Sequence, residues 1–280
     1  MTINWYPGHM AKSRRLLEDQ LSRVDLVIEL CDARLPFSSR NPVLDRMING
    51  KNRLLYLNKA DLADPAESRE WVRFFRAQGL EATTLTARSM KAKEATAAIG
   101  KATAEVMARA ADRGIRKTVR AMVIGVPNVG KSTFINHLRG APVSKTGDQP
   151  GVTRSNQWVR INDYLEVMDS PGLLWPRLDD QEAAVRLCWL GTVRDDILPL
   201  DELTVKLLDQ IAELRPDVLQ ERFHIQDSSV RGPELMLDVC RGRGFLLRGG
   251  QPDEDRCCRI VLDEFRAGKL GRITLEHPKK

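Results

Sequence analysis

Short apolar runs and amphipathic stretches alternate through the first 176 residues, the pattern of an α/β sheet protein. The runs Leu26–Cys31, Leu54–Leu57, Ala82–Leu85, Val119–Ile124, Gln157–Ile161 and Leu165–Met168 predict strands. Spacing of apolar positions predicts helices at Ala11–Ser22, Pro42–Ile48, Pro65–Gln78, Ala92–Ala111 and Lys131–Leu138. Pro65 near a helix start and Gly79 past a helix end fit the usual punctuation. Beyond Pro176 the alternation stops. Helical spacing at Gln181–Leu190, Glu202–Leu214, Pro216–Arg222, Pro233–Arg241 and Glu254–Ala267 predicts a smaller all-helical domain over 177–280, with the boundary near Trp175-Pro176. The stretch 240–255, with Arg241-Gly242-Arg243-Gly244 and Arg248-Gly249-Gly250, reads as a mobile loop.

The loops between these elements carry the chemistry. Gly125-Val126-Pro127-Asn128-Val129-Gly130-Lys131-Ser132 has the form G-x-x-x-x-G-K-S, with a strand before it and helical residues after it. That context aims backbone N–H groups and a helix N-terminus at a phosphate. Lys131 would reach the β and γ phosphates and the Ser132 hydroxyl would ligate Mg²⁺. Asn128, Val129, Gly130 and Thr133 complete the expected phosphate cradle. Asn58-Lys59-Ala60-Asp61, after the run Leu54–Leu57, has the form N-K-x-D. The Asp61 carboxylate can accept from the guanine N1–H and exocyclic amine together, donors that adenine lacks. Lys59 would lie along the base and tie this loop to the phosphate loop. Thr86-Ala87-Arg88 resembles the S-A-K element whose backbone meets guanine O6. Asp169-Ser170-Pro171-Gly172 has the form D-x-x-G, with Asp169 expected to hold Mg²⁺ through water and the Gly172 amide to contact the γ-phosphate. Thr153, in Pro150-Gly151-Val152-Thr153, is the threonine expected to close over Mg²⁺ and the γ-phosphate.

The guanine motif stands ahead of the phosphate loop, the reverse of the usual order. The implied fold is an α/β, circularly permuted P-loop G domain over 1–176, mostly parallel with helices on both faces. In this order the segment after Asp169–Gly172 runs through Trp175-Pro176 into the helical domain, so loss of the γ-phosphate should reorient that domain. Leu173 follows D-x-x-G, where many GTPases carry a water-orienting glutamine. Hydrolysis by the chain alone is therefore expected to be slow.

Asn4-Trp5-Tyr6-Pro7-Gly8-His9-Met10 resembles the W-F-P-G-H-M signature of the ribosome biogenesis GTPase A family, and Asp32-Ala33-Arg34-Leu35-Pro36-Phe37-Ser38-Ser39-Arg40-Asn41-Pro42 matches its D-A-R-x-P-x-S-S-x-N-P segment. Gly191-Thr192-Val193-Arg194-Asp195, within Leu187–Leu198, is similar to the opening of that family's helical domain. The resemblance implies a GTPase that binds the large ribosomal subunit late in assembly, is stimulated by it, and leaves after hydrolysis. It also makes His9 a candidate for the missing water-orienting role; packing or capping an N-terminal turn is the alternative. By the same resemblance, Asn128 is a candidate K⁺ ligand, the cation acting much as an arginine finger does.

The net charge of +6 is uneven: +9 over 1–176, −7 over 177–240 and +4 over 241–280. Such basic surfaces suit rRNA. The stretch Arg88–Arg120, with Lys91, Lys93, Lys101, Arg109, Arg113, Arg116, Lys117 and Arg120, links the guanine loops to the phosphate-loop strand; it is either an RNA contact or a solvated helix face. Five cysteines without a C-x-x-C pair suggest reduced thiols, and zinc is not expected. No secretory, transit, spanning or lipidation signal is read, so a cytoplasmic monomer without membrane or DNA partners is expected. Two other classes stay open: an RNA-binding chaperone in which GTP only stabilises the fold, and a signalling or membrane-linked GTPase.

Overall fold

The computed structural model describes residues 17–48, 50–140, 157–170 and 180–278. Six strands form one sheet in the order β3-β2-β1-β4-β6-β5: β1 (Leu26–Asp32), β2 (Asn52–Asn58), β3 (Glu81–Thr84), β4 (Val119–Ile124), β5 (Gln157–Asn162) and β6 (Leu165–Asp169). All neighbours are parallel except the β5–β6 hairpin. The chain winds outward from β1 through β2 to β3, then returns to place β4 on the other side of β1. The crevice beyond the carboxyl ends of β1 and β4 is therefore the topological switch point, where open α/β sheets bind ligands.

β1 is buried along its whole length, as a central parallel strand covered on both faces should be. Leu26, Ile28 and Leu30 join one core with Leu54, Tyr56, Ala121 and Val123. Val27 faces the other side with Met122, Ile124 and Met168, against Leu17 and Leu21 of the helical residues 17–22 (α1) and Leu44 of α2 (Pro42–Met47). Leu55 and Leu57 pack on Trp71 and Phe75 of α3 (Pro65–Ala77). Asp64 caps α3 by accepting from the Ala66 and Glu67 amides at 2.7 and 3.0 Å, with Pro65 pre-set at its first position. The predicted helix Ala92–Ala111 divides into α4 (Ala92–Ala102) and α5 (Ala104–Ala111). Thr103 is the reason: its hydroxyl donates back to Ile99 O at 2.8 Å, an i−4 bond that competes with the helix ladder. α6 (Lys131–Arg139) follows the phosphate loop.

After residue 180 the elements are helical, as read: α7 (Gln181–Trp189), a 3₁₀ turn at Asp195–Ile197, α8 (Leu200–Leu214), α9 (Pro216–Phe223), α10 (Gly232–Arg243) and α11 (Glu254–Arg266). Leu203, Leu207, Leu208 and Ile211 of α8 form the centre, and they share one continuous core with the sheet residues Leu26, Ile28 and Leu30. The expected boundary at Trp175-Pro176 lies outside the described residues. All five cysteines are buried free thiols. Among the described residues no helix is long and apolar enough to cross a membrane.

Two further features depart from the sequence reading. The stretch 240–255 is not a loop throughout: Arg241-Gly242-Arg243 is the last turn of α10, and Leu246 and Pro252 form an isolated bridge. Gly242 is required there because a Cβ would come within 2.2 Å of Phe223 O, where α9 ends. The chain also does not end in the helical part. Residues 273–277 return to the loops that follow β1 and β2: the Ile273 amide donates to Leu62 O at 3.1 Å and the Leu275 amide to Arg34 O at 2.9 Å. Trp71 Nε1 donates to Glu276 O at 3.0 Å, and the Glu276 carboxylate accepts from the Phe37 amide at 2.7 Å and from the Ser38 hydroxyl.

Gly242→Ala should destabilise the protein by about 1–3 kcal/mol, because overpacking against a backbone carbonyl outweighs the better helix propensity of alanine. Denaturant unfolding of the variant checks this; an unchanged midpoint would contradict the close approach.

Candidate guanine-nucleotide site

Loops from the carboxyl ends of β1, β2, β3 and β4, with Asp169 and Ser170 at the end of β6, meet at the switch point. Gly125 opens the phosphate loop against β1, where a Cβ would stand 2.5 Å from Leu30 O. Asn128 adopts a left-handed backbone at φ 62°, a conformation asparagine tolerates better than most residues. Gly130 is left-handed at φ 103° and faces the Asn58 side chain, whose Nδ2 would lie 2.5 Å from an added Cβ. Only glycine lets the guanine loop come this close to the phosphate loop.

Asn58 is the staple of the pocket. Its Nδ2 donates to Val129 O at 2.7 Å, and its Oδ1 accepts from the Ala87 amide at 2.9 Å. One buried side chain thus joins all three loops read as guanine- and phosphate-binding. Within Thr86-Ala87-Arg88, the segment whose backbone is read as meeting guanine O6, the Ala87 amide is engaged by Asn58. Thr86, partly buried, precedes it, and Asp61 is exposed at the rim of the loop, where a base could reach its carboxylate. Lys59 is left-handed at φ 58°, and its Nζ lies 3.2 Å from Asp32 Oδ2.

At the phosphate end, Lys131 is buried and its Nζ donates to Gly125 O and Val126 O at 3.2 and 3.0 Å. Burial pulls the Lys131 ammonium down to about 8, against the opposing pull of Asp169. The Ser132 hydroxyl donates to Asp169 Oδ2 at 3.0 Å. A hydroxyl and a buried carboxylate converging there fit a hard, oxygen-preferring cation such as Mg²⁺. Thr133 follows, partly buried, on the first turn of α6. Ser170, the variable position of D-x-x-G, donates to Val123 O at 2.6 Å and fixes the end of β6 against β4. That role was not legible in the motif. His9, Thr153, Gly172 and Leu173 lie outside the described residues.

The D-A-R segment was legible only as a signature; the structure gives it a role. Asp32 and Arg34 are buried and paired through two bonds, Nε to Oδ1 and Nη2 to Oδ2, each 2.9 Å. Burial would raise the Asp32 carboxyl, yet Arg34 and Lys59 hold it well below the usual carboxylate range. Arg34 Nη1 also donates to Phe265 O at 2.6 Å, at the end of α11. The next residue, Arg266, forks onto Asp195 at 2.7 and 2.8 Å and donates to Trp189 O and Cys188 O, each at 3.0 Å. Asn128 Nδ2 closes the circuit by donating to Gly191 O at 2.5 Å. The two nucleotide loops are therefore tied to each other and, by separate contacts, to one end of the helical part. Arg40 does comparable work below them, pairing with buried Glu29 and with Asp45, as Arg53 also does.

A lysine held near 8 makes nucleotide binding proton-linked. The triphosphate favours charged Lys131, so binding should take up protons at pH 8 and above, and affinity should fall as pH rises through that range. Calorimetry at pH 8.5 in buffers of different ionisation enthalpy checks this; a buffer-independent enthalpy and a flat affinity up to pH 9 would contradict it.

The family model for a 50S ribosome-binding GTPase matches residues 120–221, which takes in the phosphate loop and D-x-x-G and leaves N-K-x-D upstream. Ribosome biogenesis GTPase A of Bacillus cereus is 42% identical over 282 aligned positions, covering 100% of this chain and 95% of that protein. Mitochondrial ribosome-associated GTPase 1 of Mus musculus is 32% identical, with 97% of this chain and 89% of that protein covered. The crystal structure of GNP-bound YlqF from T. maritima superposes with a TM-score of 0.67 at 27% identity, covering 96% of this chain and 99% of that one. With its guanine loop entered before its phosphate loop and both closed into one pocket, the chain belongs to the ribosome biogenesis GTPase A family.

Proposed function

We infer that this GTPase is an assembly factor of the large (50S) ribosomal subunit, acting late in the cytoplasm, binding pre-ribosomal particles in its GTP state and leaving after particle-stimulated hydrolysis. The observation that carries the reading is the double attachment of the nucleotide loops to the helical part, through Asn128–Gly191 and through Lys59–Asp32–Arg34–Phe265. A pocket attached in this way can bias the helical part when its occupant changes.

Each site residue takes a role in this reading. Asp61 recognises the base, with Thr86 and Ala87 beside it, and Asn58 and Lys59 hold their loop in place. Val129, Gly130, Lys131 and Thr133 surround the phosphates. Ser132 and Asp169 would hold Mg²⁺ with Thr153, and the ion would neutralise charge developing between the phosphates. Gly172 senses the γ-phosphate. The Asn128 carboxamide, oriented by its bond to Gly191 O, would offer Oδ1 to K⁺. His9 would orient water where Leu173 cannot.

GTP turnover measured with and without 50S subunits, in K⁺ and in Na⁺, tests the reading. Particles should raise the rate by at least about tenfold, and more in K⁺. His9→Ala should lower the stimulated rate by about a hundredfold while leaving nucleotide affinity unchanged. A rate indifferent to particles would favour the RNA-binding chaperone.

A further inference from the structure

At the pole of the sheet opposite the nucleotide loops, a groove of about 590 Å³ lies among the end of α1, α5 and the segment that feeds β4. Its position follows from the strand directions. The Asp25 amide, just before β1, donates to Arg120 O at 2.8 Å, and Arg120 in turn donates its amide to Asp25 Oδ2 at 3.0 Å. These are the amino ends of β1 and β4, whereas the nucleotide loops leave the carboxyl ends. Six residues of β4 separate the poles by roughly 20 Å. The groove is walled by residues 104–118, the connection that exists because the guanine loops precede the phosphate-loop strand.

Six cations line the groove: Arg23, Arg109, Arg113, Arg116, Lys117 and Arg120, against the single carboxylate of Asp25. Arg23 is paired with Asp19, Lys117 with Asp25 at 2.9 Å, and Arg120 loosely with Glu166 at 3.6 Å. Among the described residues Arg113 and Arg116 have no carboxylate partner, and Arg109 donates only to Glu105 O. All three are exposed. Like charges gathered without counter-charge repel one another, and a polyanion relieves that repulsion. Aromatic faces flank the cations. The Arg120 guanidinium lies 5.5 Å from the Trp158 ring centre, and both Trp158 and Tyr164 are exposed large hydrophobics. Tyr164 does not line the groove itself, but its backbone is held next to the segment that does, because its carbonyl accepts from the Val119 amide at 2.8 Å.

We propose that this groove is a nucleotide-independent RNA site, in which Arg109, Arg113 and Arg116 bind the phosphodiester backbone and Tyr164 stacks on an adjacent unpaired base. Cations tracking a backbone beside exposed aromatic rings are the chemistry of single-stranded and loop RNA recognition. The choice of RNA among polyanions rests on the proposed role at the ribosomal subunit; the charge arrangement does not. Being at the far pole, the groove would contribute the same affinity in both nucleotide states, so the nucleotide-dependent part of particle binding, and release after hydrolysis, falls to the helical part.

The test uses the full-length protein, rRNA extracted from large subunits, and poly-glutamate as an acidic protein mimic. In Arg109→Glu/Arg113→Glu/Arg116→Glu, rRNA affinity should fall at least tenfold at low salt, and the slope of log K against log salt should flatten by about two to three. GDP affinity should be unchanged, which excludes misfolding. Tyr164→Ala should weaken binding to a single-stranded oligoribonucleotide by roughly fivefold or more and leave an RNA duplex unaffected. Unchanged rRNA affinity and salt slope in the triple variant would overturn the proposal, as would loss of poly-glutamate binding alone, which would mark a protein-docking face. If particles fail to stimulate hydrolysis while the triple variant still loses rRNA, the assembly role fails and the groove stands.

Discussion

Asp32 and Arg34 are both buried where β1 ends, and burying two charges is expensive even when they meet in good geometry. An apolar pair of the same volume would often serve stability as well. What the ion pair adds is direction. Asp32 accepts from Arg34 while facing Lys59 of the guanine loop, and Arg34 carries its remaining donors across to Phe265 O and Arg266 O. Removing either partner would strand a charge inside the protein, so the three segments are held in one arrangement. The rest of the molecule is built around that fixed point.

Circular permutation decides what that arrangement can transmit. The sheet keeps the parallel order that puts the described nucleotide-site residues at one pole, so their meeting does not depend on the order in which the chain visits the strands. What changes is which segments are continuous. The phosphate loop now leads towards the helical part, and the guanine loop lies far upstream of it. The C-terminal residues 273–277 compensate by returning to the guanine-loop side, where Glu276 is buried against Ser38. The helical part is thus anchored at both ends of the same pocket. The new connection, α5 into β4, is left at the opposite pole with its cations exposed.

Much of this was legible from residue order. Strand positions, the permuted motif order and the five late helices follow from apolar periodicity and loop chemistry, because those signals are local. The misses are contacts between residues far apart in sequence. Nothing in Asp32-Ala33-Arg34 indicates that Arg34 reaches a carbonyl 231 residues away. Gly242 looks like a loop glycine until the end of α9 is seen passing over it. Ile273-Thr274-Leu275-Glu276 does alternate, the one signal that could have revealed an extended segment, but four residues are too few to distinguish from a tail. Thr103 splits a helix through a hydroxyl bond that periodicity does not register. The staple role of Asn58 was hidden for another reason: the motif points to the base, while the side chain also spans to Val129.

The central claim is that occupancy of the nucleotide pocket is felt at the end of α11 through Arg34, and hydrogen exchange measures it most directly. At saturating GDP, the amides of the last turn of α11 should exchange more slowly than without nucleotide. In Arg34→Met, whose side chain keeps its bulk but loses its donors, that slowing should disappear while GDP still binds. Equal slowing in the variant and the parent would contradict the account.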